Sequence, residues 1–379
     1  MRQKSNLVDR ATAPRYCPSM ARRLLLLILF GLFCFISSLN IHAQTNRPSA
    51  QKAKPNLSLE ELQRKAESGD AQDQSVLGTM YFTGRNVEKN YSEALKWFQK
   101  AANQGSAFAQ FELGTMHDYG LGVETNSTEA AKWYQLSADQ GVAPAQCNLG
   151  NMYGRGVGVN KNLVEMTKWY RKAAESGHAG AQYNLGESYD RGLGVEKSSS
   201  EAVRWYRKAA DQGADLAQIC LGAKYEDGEG VEKDLGEAIK WYRKAAVQGN
   251  AMAQFNLGLM YMKGLGVKTD CVEAIKWYRK AAVQENAMAQ FNLGLMYMKG
   301  LGVKADYVEG WAWLDLAAKG GDKPGDKPGA KARKFLAKMM SSEQVALAQK
   351  RTKELENEIF ARKKSQESNK TETLKIVTF

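Results

Sequence analysis

Histidine is scarce in this 379-residue chain, with three in all and no HExxH pair among them. There is no Cys-x-x-Cys and no Gly-Lys dipeptide either. These absences remove the usual sequence support for a zinc hydrolase, a clustered thiolate centre or a phosphate-binding loop, so no cofactor and no metal is expected. Past residue 43 only Cys147, Cys220 and Cys271 remain, an odd number at three unrelated places, which makes disulfides optional at most. The longest apolar run, Leu24–Ile36, has 13 residues, short of the roughly 20 that cross a bilayer.

What is present in abundance is repetition. The stretch Gly249–Gln284 returns without a gap, in copies opening at residues 69, 105, 141, 177, 213, 249 and 285. A constant 36-residue period over about 250 residues marks one supersecondary unit written seven times. The first half of each copy runs A-x-A-Q-x-x-L-G-x-x-Y, with small or apolar positions at helical steps. A loop with two glycines follows, Gly264 and Gly266 in copy six. The first falls where a helix C-cap needs positive φ; the second is Asn86 in copy one, which favours a conformational reading of both.

A second helix starts at Asn90, Asn126, Asn162, Ser198, Asp234, Asp270 and Asp306, each three residues before a glutamate. That spacing is a capping box. EAxKWYxKAA follows, with Ala274, Trp277, Tyr278, Ala281 and Ala282 on its apolar side. Gly258 and its six counterparts sit mid-helix at a cost of about 1 kcal/mol against alanine, so they predict close approach of the partner helix. The expected fold is all-α: antiparallel helix pairs that stack to bury Trp277 and Tyr261.

AQ-x-x-LG-x-x-Y-x-x-G-x-GV followed by EAxKWYxKAA, over residues 69–320, resembles the Sel1-like repeat, a relative of the tetratricopeptide repeat. The resemblance implies an α/α right-handed superhelical solenoid serving as a non-enzymatic protein-interaction scaffold, often in exported bacterial proteins. Some exported members carry a cysteine pair in each repeat. This chain departs from that pattern, which puts functions tied to that branch, penicillin binding included, in doubt.

Flanking segments complete the layout. Residues 1–43 read as a signal peptide, with Arg22-Arg23 before the apolar run and Ala43 before the cut; Met20 offers a second start. The alternative is an uncleaved anchor, the one route to a membrane; otherwise the chain is expected in the periplasm or outside the cell. Residues 44–56 are a polar linker in which Ser49–Lys52, a serine-x-x-lysine pattern, has nothing to hold its groups together. A capping helix is expected over 57–68, a carboxy-terminal cap over 321–363 with a helix capped by Ser342, and a polar, disordered tail over 364–379. The cap is needed because Trp311-Ala312-Trp313-Leu314 replaces the exposed lysines of copy seven.

Net charge is +12, of which residues 1–43 carry six Arg/Lys against Asp9. Lys240, Arg243, Lys244 and their counterparts form an outer stripe, read as a solvated convex face or as a surface for an acidic partner; nucleic acid is not expected. His117 stands where the other copies have tyrosine and is expected to face the core, His178 to lie exposed in a turn.

The first helix offers the better site. Positions four, eight, eleven and fifteen share a face and vary between copies. Asn148, Asn184, Asn256 and Asn292 recur at position eight. They form either an amide ladder for an extended peptide or bonds to neighbouring loops. Met252, Leu259, Met288 and Leu295 supply apolar contacts beside them. The expected function is thus a scaffold for a protein or peptide partner held in the concave groove. The alternative is a hydrolase or binder acting on cell-wall components.

Overall fold

The computed structural model describes residues 58–320 and 328–377, with 17 helices and no strand among them. The expected signal segment, the linker and most of the GDKPGDKPG connector lie outside the described residues. Helix α1 (Leu59–Glu67) is followed by seven pairs: α2–α3 (Ala71–Thr83, Tyr91–Asn103), α4–α5 (Ala107–Tyr119, Ser127–Asp139), α6–α7 (Ala143–Arg155, Leu163–Glu175) and α8–α9 (Ala179–Arg191, Ser199–Asp211). The series continues with α10–α11 (Asp215–Asp227, Leu235–Val247), α12–α13 (Ala251–Lys263, Cys271–Ala282) and α14–α15 (Ala287–Lys299, Tyr307–Lys319). Two helices close the chain, α16 (Pro328–Ala337) and α17 (Ser342–Val377). The last therefore runs past the expected end at Lys363. Its cap is Ser341, not Ser342: Ser341 Oγ accepts from the Gln344 N–H while Gln344 Oε1 accepts from the Ser341 N–H.

Each helix pair closes on its mid-helix glycine. A Cβ on Gly78, Gly114, Gly150, Gly186, Gly222 or Gly258 would meet the aromatic ring of its own second helix at 2.5–2.8 Å, far inside van der Waals contact. The ring is Phe98 or a tyrosine; in copy seven Leu314 takes its place. The second loop glycine does more than supply a positive φ. A Cβ on Gly194 would lie 1.9 Å from the Leu163 carbonyl oxygen of the preceding pair. Copy one has no preceding pair, which is why Asn86 is tolerated there at φ 60°.

The capping boxes are half formed. All seven N-cap side chains accept from a first-turn N–H, for example Glu237 N to Asp234 Oδ1 at 3.0 Å. The glutamates do not reach back, because each N-cap N–H already donates to a first-helix carbonyl, as Asp234 N does to Tyr225 O at 3.0 Å. They turn instead to a cation three residues on, or to the indole N–H of Trp277 and Trp313 at 2.9 Å.

Tryptophan and tyrosine divide the stacking between them. Trp205 is 4% exposed and packs with Met166, Tyr170 and Leu185, so it locks its pair onto the preceding one rather than the next. Tyr206 packs forward with Ala217 and Ile219. Copy seven ends under the cap: Ala348, Thr352, Leu355 and Ile359 of α17 are buried at helical spacing, and Arg351 pairs with Glu309 at 2.8 Å. Leu336 of α16 is fully buried with Trp311 and Leu314.

Candidate interaction face

A buried amide relay, unforeseen from the sequence, runs along the first helices. The glutamine at position six donates to a carbonyl of the preceding second helix, as Gln182 Nε2 does to Ala174 O at 3.1 Å and Gln254 Nε2 to Ala246 O at 3.0 Å. Its own oxygen accepts from the glutamine that ends the second helix: Gln104 to Gln74, Gln140 to Gln110, Gln212 to Gln182, Gln248 to Gln218 and Gln284 to Gln254, all at 2.7–2.9 Å. Copy three has Ser176 in that place, and Gln146 Oε1 is left buried without a donor. The A-x-A-Q and terminal Gln-Gly motifs were the available signal, since a buried amide must find partners.

The candidate site residues fall into two groups. Asn184 is buried, and its Nδ2 reaches Cys147 Sγ of the preceding copy at 3.8 Å. Asn148 is half-buried beside the preceding copy's Tyr134, and Asn292 beside Tyr278. Burial pushes both tyrosine pKa values up; the Asn148 and Asn292 amides act in the opposite sense by hydrogen bonding. Three of the four amides thus tie neighbouring copies together, while Asn256 is half-buried on the same row. Leu259 is half-buried against the core shared by copies six and seven, and Leu295 against Trp311 and Leu336. Position eleven therefore belongs partly to the seam between copies, contrary to the expectation of a free face. Met288 is half-buried, and Met252, at 40% exposed, is the most open of the set.

The row also carries a buried charge that no pattern announced. Lys224 stands at a position held by methionine in five copies, and it pairs with Asp190 of the preceding copy and with Glu229 at 2.7 Å. Burial lowers its pKa, but the hydrogen bonds it donates to the Asp190 and Glu229 carboxylates outweigh that and raise it above the ordinary value. Glu226, two residues further along the helix, accepts from the Tyr242 hydroxyl at 2.8 Å. His178 is not a free turn residue: it is the N-cap of α8, and its Nδ1 accepts from the Ala181 N–H at 3.1 Å. Burial lowers its pKa to about 4. His117 is half-buried with Nδ1 shielded from solvent.

On the outer side, Lys172, Lys208, Lys244 and Lys280 lie over the tryptophan rings of their own helices at 3.8–4.3 Å. Among the described residues no helix is long and apolar enough to cross a membrane, and no three His, Cys, Asp or Glu side chains cluster as a metal site.

Fold and face together define an α/α solenoid of stacked helix-pair repeats. The chain belongs to the Sel1 repeat family, whose pattern matches residues 71–106, 107–142, 143–178, 179–213, 216–250, 251–285 and 287–322. It is similar to the crystal structure of a Sel1 repeat protein from Oxalobacter formigenes, with 33% identity, TM-score 0.60, and 79% of this chain and 86% of that one covered. A stretch of 79 residues is 37% identical to the secretory immunoglobulin A-binding protein EsiB of Escherichia coli O6:H1. That match spans 21% of this chain and only 14% of the length of that curated relative. Sel1 repeat proteins act as protein-interaction scaffolds and are generally non-enzymatic.

Proposed function

We propose that this protein is a non-enzymatic scaffold of the bacterial cell envelope that holds an extended protein or peptide segment against the first helices of copies five to seven. The observation that carries the reading is the open part of that face: Met252 at 40% exposed, with Asn256 half-buried one turn along the same helix. A large apolar side chain held beside an amide on a rigid element suits recognition of a peptide side chain and backbone together. The basic flank and short apolar core before Ala43 support export, with a mature start at Gln44.

The test uses Met252→Glu and Asn256→Ala, leaving Leu259 in place because it packs between copies. Envelope proteins are captured on the purified chain and identified by mass spectrometry. Met252→Glu abolishes capture of a defined partner while circular dichroism and melting stay unchanged; Asn256→Ala weakens it by about 1 kcal/mol. A folded Met252→Glu variant that captures the same partner equally well refutes the site. Turnover of cell-wall fragments by the pure protein would favour the hydrolytic alternative. Amino-terminal sequencing of native protein checks the export reading, and an intact Leu24–Ile36 segment in membranes would establish the anchor instead.

A further inference from the structure

We propose that two copies of this chain pair through the outward side of α17, antiparallel about a two-fold axis near Lys353 and Glu354. A solenoid closes when its terminal elements turn a polar face outward. The amino-terminal end does so, since α1 exposes Glu60, Glu61, Arg64 and Lys65 while burying Leu62 and Ala66. The carboxy-terminal end does not. Phe335, Met339, Leu347 and Phe360 are 50–69% exposed there, whereas elsewhere among the described residues only valines pass one half.

The helix itself indicates what covers it. At 36 residues, against 13 for most repeat helices, α17 is about 54 Å long. One side docks on copy seven through Ala348, Leu355 and Ile359, so the opposite side is what it presents outward. Read in reverse, that side is its own complement. A second α17 laid antiparallel brings Glu343 to Lys364, Leu347 to Phe360 and Lys353 to Glu354, each contact made twice, and all six residues are exposed. Ala346 meets Ala361 in the same register, which lets the backbones approach. A parallel arrangement would instead set Lys353 on Lys353 and Glu343 on Glu343. An unrelated partner has no reason to match this palindrome of charge, which is why the occupant is a second copy. The four pairing charges cancel and exposed Lys350 meets the neutral Asn357 in this register, so each copy brings one unpaired positive charge to a face of a chain whose net charge is +12.

Sedimentation velocity of the full chain at micromolar concentrations tests this. The expected result is a concentration-dependent dimer. Leu347→Glu with Phe360→Glu weakens association at least about tenfold, and Lys353→Glu or Glu354→Lys alone also weakens it. Lys353→Glu combined with Glu354→Lys restores it, because the swap preserves opposite charges across the axis. All these positions are exposed, and circular dichroism verifies that each variant keeps its helices. A chain that stays monomeric overturns the proposal, and flotation with anionic lipid vesicles then tells whether a membrane covers this end instead. A dimer unmoved by the double glutamate, or a charge swap no better than its single components, overturns it equally.

Discussion

Changing Ser176 to glutamine supplies a rung missing from the buried amide relay, at the junction where the acceptor is left buried without a donor. In copies one, two, four, five and six the glutamine ending the second helix donates to a position-six amide at 2.7–2.9 Å. In copy three Gln146 holds its usual bond to Ala138 O at 3.0 Å, but its Oε1 has no donor. The backbone is already suitable: Ser176 has φ −75° and ψ 3°, against −83° and 4° at Gln212. A buried acceptor left unmade costs about 1–3 kcal/mol. Ordering a glutamine side chain takes back up to about 1.5–2 kcal/mol, less where it remains partly exposed. Ser176→Gln should therefore stabilise by about 1 kcal/mol, equivalent to a rise of roughly 2–4 °C in Tm. Gln212→Ser should lose about the same amount. Urea unfolding monitored at equal slope reads both, and hydrogen exchange at the copy three–four junction localises the gain. If Gln212→Ser is costly while Ser176→Gln is neutral or harmful, the relay is not what limits this junction.

Three further outcomes follow from the packing. Trp205→Ala should cost roughly 3–5 kcal/mol, whereas Lys240→Ala, whose pair with Glu237 is exposed, should leave the midpoint essentially unchanged; denaturant titration of both checks which way the second helix faces. Gly186→Ala gains about 1 kcal/mol in helix propensity but sets a Cβ 2.7 Å from the Tyr206 ring, so a net loss is expected in thermal melting. His178 caps α8 through an unprotonated nitrogen, and its folded pKa is lowered to about 4. The unfolded imidazole takes up its proton first, so stability is retained above about pH 6.5 and falls as pH drops toward 4. His178→Asn keeps a cap of the kind Asn250 provides and should flatten that part of the profile; a pH dependence unchanged in the variant would remove His178 as its cause.

The sequence alone determined the all-α architecture, because its signals are local and repeated: a 36-residue period, an N-cap residue before each second helix, and a mid-helix glycine whose cost implied a close partner. Period and capping depend on neighbours a few residues away, which a string of letters displays. What faces what across copies depends on residues about 30 apart brought together by stacking, and only the tertiary structure decided it. It turned Trp205 back toward the preceding pair and drew Asn148, Asn184 and Asn292 toward neighbouring copies. It placed Leu259 in a seam, paired Lys224 with Asp190, and made the repeated glutamines a relay instead of a surface feature. An amide, a lysine or a leucine at one register of a helix suits either solvent or a seam equally well. The choice is made by the approach of the next helix, which converts exposure into burial and obliges each polar group to find a partner.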